Sequence, residues 1–363
     1  MIDHEPAIPS ISVLVPCFNV EKYLRECLDS LCAQTMDNLE IICINDGSTD
    51  STLAIIQNYA ARDSRIIIID KQNSGYGASM NRGLDTAKGE FIGILESDDF
   101  IDSTAYETLY LAAKEHEAEV VKSNFFFYWS LPHPRDKFET LITKDIAGPY
   151  DPVKQKEIYY LKPTIWSAIY KREFLEKSGI RFLETPGASY QDASFNFKVW
   201  ASAKKVVLLK EAFLHYRQDN EASSVNSPGK VYCVCDEYAE MQRFIDEHPE
   251  LKERLQGVLI RMKYDSYMWN YERLHEQFKA DFLVRASEEF CADNESGRLD
   301  LTLFDYWKDA ELNTLMASPE TFSLYRPLYA KPGKLNSLKY YYRLGGLPLV
   351  KKLVKDRLHR GKA

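Results

Sequence analysis

The chain lacks an apolar run long enough to span a bilayer, and its start, MIDHEPAIPS, lacks the basic and apolar regions of a signal peptide. A cytoplasmic protein is therefore expected. Basic charge is also short: 46 Lys and Arg against 54 Asp and Glu give a net charge of −8, the wrong sign for a general nucleic-acid binder. The seven cysteines are odd in number and scattered through apparent strands and helices, and no pair complements Cys233 and Cys235 at zinc-site spacing. Buried, reduced thiols are expected. Neither GxxxxGK[ST] nor a G-x-G-x-x-G opening the first helix is present, which removes the P-loop and the dinucleotide fingerprint.

What is present starts with Gly89 to Phe100, GEFIGILESDDF, where apolar residues end abruptly in Glu96, Asp98 and Asp99. A short apolar run after Gly reads as a buried strand, with the acids at its carboxyl end. Ligands of open α/β sheets bind beyond such ends. Closely packed carboxylates either attract Mg²⁺ or Mn²⁺, which favour oxygen ligands, or cap the helix expected over Thr104 to His116.

The preceding residues repeat a strand-turn-helix unit. Strands are expected at Ile11 to Val15, Leu39 to Ile44 and Arg65 to Ile69, with helices at Glu21 to Gln34, from the Ser48 to Ser51 caps through Ala61, and at Ala78 to Ala87. In the first helix Tyr23, Leu24, Cys27, Leu28 and Leu31 form one apolar face. This alternation implies right-handed crossovers and a parallel sheet. The loops Pro16 to Asn19, Asp46 to Asp50 and Glu96 to Asp99 then converge on one edge as a nucleotide site. Phe125 to Trp129 is expected as a buried strand and Phe213 to Arg217 as another.

Six ordered motifs now stand together: VPCFN at Val15 to Asn19, NDGSTD at Asn45 to Asp50, NSGYGASMNRGLDTAKGE at Asn73 to Glu90, ESDD at Glu96 to Asp99, YQD at Tyr190 to Asp192 and HYR at His215 to Arg217. Over about the first 220 residues they resemble the family 2 glycosyltransferases, inverting enzymes of GT-A fold with nucleotide-sugar donors. The resemblance implies a Rossmann-like, mostly parallel α/β sheet flanked by helices. It implies that Pro16, Phe18 and Asn19 line the base and ribose pocket, that Asp46 receives a hydrogen bond from the base, usually uracil, and that Asn73 and Gly75 lie under the nucleotide. ESDD matches the family's DxD element, with Glu96 near the ribose, Ser97 close by and Asp98 on a Mn²⁺ or Mg²⁺ bridging the diphosphate. Asp192 stands at the general base. Three departures are visible: Glu96 for the usual first Asp, Gln191 for the usual Glu, and Met80, two positions before Arg82, where many members have Arg.

Asp192 also opens an apolar-faced helix over Asp192 to Ala203, so a plain cap is its alternative role. His215 reads as a third metal ligand, a diphosphate contact or a structural histidine, and the fork of Arg217 suits phosphates. Trp166, in KPTIWS, is the candidate for stacking on an acceptor sugar. Ser224 to Gly229 reads as a linker or a lid over the donor.

The expected organisation is a catalytic domain over residues 1–225, an α-helical subdomain over 231–335 and a basic amphipathic tail over 336–363. Leu338 to Ala363 holds eight Lys or Arg against one Asp, interleaved with apolar residues, and reads either as an interfacial helix on an anionic membrane or as a solvated tail. The expected activity is metal-dependent transfer of a sugar, from a UDP-sugar, to a glycan or lipid-linked glycan of a bacterial surface polysaccharide, at the inner face of the membrane. A silent sugar-nucleotide-binding or scaffolding protein is the alternative, and the missing Gly- and Lys-rich triphosphate loop speaks against a nucleotidyltransferase.

Overall fold

A computed structural model describes residues 8–143, 146–187, 189–220, 230–330 and 333–360, and the chain divides into two compact units, Met1–Ser224 and Val225–Ala363. In the first unit, β1 (Ile11–Cys17) and β2 (Leu39–Asp46) are buried along their whole length, as suits mostly apolar central parallel strands, and the polar pair between them is satisfied by Ser12 donating to Glu40 at 2.5 Å. β3 (Ile66–Lys71) pairs beyond β2 and β4 (Phe91–Ile94) pairs on the other side of β1, all in parallel. The chain thus reverses its direction of travel across the sheet between β1 and β4. At such a switch point the connections on either side splay apart and leave a crevice at the strands' carboxyl ends.

α1 (Leu24–Cys32) buries Leu24, Cys27, Leu28 and Leu31 against the sheet, the face expected from their spacing. α2 (Thr52–Ala60) and α3 (Tyr76–Thr86) complete the crossovers, with α3 starting two residues before the expected Ala78 and β3 running two residues past the expected Ile69. Gly83 lets α3 lie close on the sheet: a Cβ there would stand 3.1 Å from the Leu14 side chain and 3.2 Å from that of Ile44. After β5 (Phe100–Ile101) and α4 (Ala105–Glu115), the sheet becomes mixed. β6 (Val120–Trp129) pairs antiparallel to β7 (Arg135–Glu139) and to β9 (Ala168–Lys171), and parallel to β10 (Val206–Arg217), which also takes β5 and β8 (Ile146–Tyr150). The full order is β3-β2-β1-β4-β9-β6-β10-β5. The buried strand expected at Phe125 to Trp129 needs correction: it is the outer half of β6, where Phe126, Phe127 and Trp129 are only partly buried.

α5 (Arg172–Lys177) and α6 (Gln191–Ser202) close the first unit, and α6 is set by tight packing of backbone on backbone. The amide of Tyr76, at the start of α3, donates to the Gly187 carbonyl at 2.8 Å. A Cβ on Gly75, whose φ is +92°, would stand 2.8 Å from the Thr185 carbonyl oxygen, and one on Gly77 would stand 2.0 Å from that of Leu183. Asn81 ties the same segment, donating to the Phe182 carbonyl at 3.0 Å and accepting from its amide at 2.9 Å.

The second unit is helical: α7 (Cys233–Asp246), α8 (Pro249–Arg273), α9 (Glu276–Glu295), α10 (Tyr306–Ala317), α11 (Pro319–Ala330) and α12 (Lys334–Arg360). Its interior joins aromatic packing to paired charges. Lys263 lies between Glu289 at 2.8 Å and Asp293 at 3.0 Å, and Arg326 between Glu272 at 2.6 Å and Glu311 at 3.1 Å. Pairing of this kind is what allows such groups to be buried. The basic tail belongs to this unit, α12 burying Tyr340, Tyr341 and Leu349 beside Tyr306, Trp307 and Tyr325. All seven cysteines are free. Ser224 to Gly229, the expected lid, lies outside the described residues.

Because the Leu183 carbonyl is backbone and cannot swing aside, Gly77→Ala is expected to cost about 1 to 3 kcal/mol of stability, the range for overpacking. Urea unfolding of the variant beside the parent chain measures it.

Candidate active site

Three loops meet at the switch point. In the first, Asn19 takes a positive φ of 52°, and its side-chain oxygen accepts from the Thr49 amide at 2.8 Å while its own amide donates to Ser48 Oγ at 3.0 Å. The first and second loops are thereby locked together. Phe18, next to Asn19 in the chain, is 49% exposed. Pro16 stays inside β1 and is buried.

Asp46 holds the third loop. Its carboxylate accepts from the amides of Ser74 at 2.9 Å and Gly75 at 3.0 Å and pairs with Lys71. In this structure Asp46 anchors the 71–75 loop, the loop expected to lie under the nucleotide. Asn73 on that loop is exposed and Gly75 is buried. Met80 is fully buried and Arg82 is exposed, so the position where relatives often carry Arg is here part of the core.

The acid loop follows β4. Asp99 is buried, its Oδ1 accepting from the Arg217 amide at 2.8 Å and its Oδ2 left without a partner; burial first, then Asp98, raises its pKa well above the ordinary value. Asp98 is partly exposed, with one carboxylate oxygen accepting from Asn220 at 2.8 Å and its carbonyl from Arg217 Nε at 2.8 Å. Glu96 accepts from the Tyr76 hydroxyl at 2.6 Å. Burial, opposed by that hydrogen bond and reinforced by the charges of Asp98 and Asp192, pushes Glu96 up to about 8. Ser97 is buried between these acids.

Asp192 lies in the first turn of α6, and desolvation raises it to about 6 against the hydrogen bonds of its own and the next amide. The residue before the helix, Tyr190, has φ 64° and its side chain makes no cap. Gln191 explains its own departure from the usual Glu: its carbonyl accepts from the Ser189 amide at 2.5 Å, and its amide donates to Thr185 Oγ1 at 2.8 Å. A carboxylate could not donate to Thr185.

Tyr216 reports that these acids share one neighbourhood. Its phenol is pushed up to about 12 by burial and then by Asp99, Asp98, Asp192 and Glu96 in turn, and its ring is still 36% exposed. Acids at positions 96–99 and the acid at 192 thus act on one hydroxyl. Tyr216 was not among the expected site residues, although strand alternation on HYR separates it from His215 and Arg217. Its ring lies tilted at 41° against Trp166, ring centres 5.1 Å apart, and Phe125 supports Trp166 edge-on at 4.7 Å. Buried Lys122 fixes the turn that carries Trp166, donating to the Thr164 carbonyl at 2.6 Å and to Ser167 Oγ at 2.9 Å; burial lowers its pKa to about 7.

The family model described as Glycosyl transferase family 2 matches residues 12–177. Glycosyltransferase GlyG of Streptococcus pneumoniae is 31% identical over 221 residues, 57% of this chain and 70% of GlyG. The chain belongs to glycosyl transferase family 2. An uncharacterized glycosyltransferase of Bacillus subtilis, EpsJ, is 31% identical over 58% of this chain, and the match spans 62% of EpsJ's own length. A poly(ribitol-phosphate) beta-glucosyltransferase of Bacillus spizizenii is 28% identical over 70% of this chain and 40% of its own. Among solved structures, S. aureus TarS 1-349 in complex with UDP-GlcNAc superposes with a TM-score of 0.55 at 19% identity, covering 86% of this chain and 91% of that one, a likeness of GT-A fold.

In this member of the family, two residues expected to meet a ligand are engaged within the protein. His215 has both ring nitrogens engaged, Nδ1 with Asp136 at 2.8 Å and Nε2 with Asp102 at 3.2 Å, and its ring is stacked between Phe100 and Phe126. It therefore ties β5, β6 and β7 together instead of offering a nitrogen to a metal or diphosphate. Arg217 is buried, lies between the rings of Tyr23 and Tyr128 and pairs with Glu26, so its fork is spent on the protein. Among the described residues no group of three or more His, Cys, Asp or Glu side chains is placed to hold a metal. Asp98 with Glu96 is still a donor set that suits Mg²⁺ or Mn²⁺, which use one or two protein carboxylates and complete their shell with water and phosphates.

A carboxyl raised in the folded state, ordinary at 4.5 and about 8 here, binds its proton more tightly folded than unfolded, so its contribution is complete below 4.5 and is lost as pH rises toward 8. Glu96→Gln keeps the acceptor for Tyr76 and removes that dependence. Its stability relative to the parent chain, from urea unfolding in EDTA, is expected to improve between pH 5 and pH 8.

Proposed function

We propose that this chain is an inverting, metal-dependent glycosyltransferase that moves a hexosyl group from a UDP-sugar to a hydroxyl of a cell-surface glycan. What supports it is the shared neighbourhood of Asp98 and Asp192 around Tyr216, one acid on the nucleotide loops and the other at the head of α6. A relative that is a poly(ribitol-phosphate) beta-glucosyltransferase supports a polymeric acceptor, and a neighbour crystallised with UDP-GlcNAc supports the donor class. The reading puts the work in the cytoplasm, with a glycan or lipid-linked glycan as acceptor.

In the proposed reaction the donor's base lies along Phe18 and Asn19, over the 73–75 loop, and the diphosphate faces Glu96, Ser97 and Asp98. Asp98, with Glu96 beside it, would hold a bound Mg²⁺ or Mn²⁺, which supplies charge neutralisation of the departing diphosphate. Asp192 accepts the proton of the acceptor hydroxyl as its oxygen bonds to the anomeric carbon and the bond to the diphosphate breaks. A carboxyl lifted to about 6 is a better base than an ordinary one and is still largely ionised at pH 7. The single displacement inverts the anomeric centre. Trp166 and Tyr216 give the acceptor sugar an apolar face to stack on.

The test is UDP release from a panel of UDP-sugars with Mn²⁺, with and without oligosaccharide acceptors. Asp192→Asn should lower transfer about 10²- to 10⁴-fold while the melting shift given by UDP is retained. The pH profile of kcat/KM should rise through about 6, since the base must be ionised. Asp98→Ala and EDTA should each remove turnover. UDP-sugar binding without turnover in any combination would leave a binding module instead of an enzyme.

A further inference from the structure

α12 has two halves joined at Gly345 and Gly346, whose backbone leaves helical geometry there, φ of Gly346 being +64°. Each half turns one side to the protein: Tyr340, Tyr341 and Leu344 from the first, Leu349, Val350 and Leu353 from the second. An amphipathic helix that has spent its apolar side on a core presents polar residues outward. This one does not. In the first half Leu335 is 65% and Tyr342 54% exposed, seven residues apart with half-buried Leu338 between them on the same side. In the second, Leu347 is 60% and Val354 44% exposed, again seven apart. Lys339 and Arg343 flank the first stripe, Lys351 and Lys355 the second, all four exposed.

We propose that this outer face of α12 is a docking surface for an anionic lipid bilayer. An apolar stripe in a rim of lysine and arginine matches an interface in which acyl chains lie beneath phosphate headgroups, the apolar side chains entering the boundary and the cations staying at headgroup level. The charge is segregated to suit this: from Leu338 onward there are eight basic residues and one acid, on a chain whose net charge is −8. A nucleic acid would offer the anionic groups without apolar depth, and a second protein copy would meet like charge along the rim. No described helix is long and apolar enough to cross a membrane, so the contact is peripheral.

Co-sedimentation of the full chain with vesicles tests this, using phosphatidylcholine alone and phosphatidylcholine with phosphatidylglycerol, at low and at high salt. Neither donor nor acceptor is needed, so the outcome is independent of whether transfer occurs. Binding is expected to the phosphatidylglycerol vesicles and to weaken with salt. Lys339→Gln, Lys351→Gln and Lys355→Gln together should reduce it about a hundredfold, from roughly 1 kcal/mol for each basic residue near the surface. Leu347→Ser with Val354→Ser should reduce it with the charges intact, and since all five side chains are exposed, unchanged thermal unfolding verifies the fold. Equal binding to both vesicle types, or indifference of binding to both sets of substitutions, overturns the proposal. So does a concentration-dependent dimer in light scattering that binds no vesicles and is lost with Leu347→Ser and Val354→Ser.

Discussion

Arg217 is the interaction on which the catalytic unit depends. Glu96, Asp98 and Asp99 lie within four consecutive positions with Asp192 near enough to act on Glu96, and carboxylates so close repel one another and lose solvation. Arg217 counters this from the last position of β10. Its amide holds Asp99, its Nε holds the Asp98 carbonyl, and its far end pairs with Glu26 on α1. The two tyrosine rings 4.8 and 4.9 Å from its guanidinium carbon make the site one for a flat, weakly hydrated cation, which lysine could not replace. Burial raises the pKa values of Glu96, Asp99 and Asp192, and neighbouring acids add to the rise of the first two.

The second constraint is steric and works without charge. Gly75 and Gly77 let the start of α3 press on the backbone of 183–187, and the same segment leads within five residues to Asp192. Gln191 and Asn81 pin it from either side. The loop read as lying under the nucleotide and the carboxyl read as the base are therefore parts of one packed block. The placement of that loop relative to Asp192 is set by backbone contact, which tolerates little error.

These two constraints explain what the sequence could and could not disclose. β1 to β4 were legible because each is carried by a short, mostly apolar run, such as Ile66 to Ile69 in β3 or Val13 to Val15 in β1. β7, RDKFE, was not, since a short strand with four of its five residues exposed has the composition of a loop. β9 is four residues long and was equally silent. Motif order located the acid loop and Asp192, but side-chain partners are set by contacts across the sheet. Asp46 and Arg217 carry charges that suit a ligand, yet they spend them on Ser74, Gly75 and Lys71 in one case and on Asp98, Asp99 and Glu26 in the other. His215 finds its carboxylates 79 and 113 residues away in the chain, beyond any spacing rule. Tyr216 was legible in principle from alternation, and was obscured because its neighbours in HYR have the more reactive side chains.

The charge distribution raises one further physical question: how an acidic chain approaches an acidic surface. Net charge governs the interaction only at distances where every charge is felt, and at physiological salt the screening length is about 8 Å. Within that distance the surface meets only the charges nearest to it, so a stripe rimmed by Lys339, Arg343, Lys351 and Lys355 is attracted whatever the acids elsewhere sum to. The same screening limits the gain to contacts made within that distance, and so to orientations that bring this stripe to the surface. Segregation of charge therefore supplies orientation as well as affinity, and a chain of even composition at the same net charge of −8 would have neither.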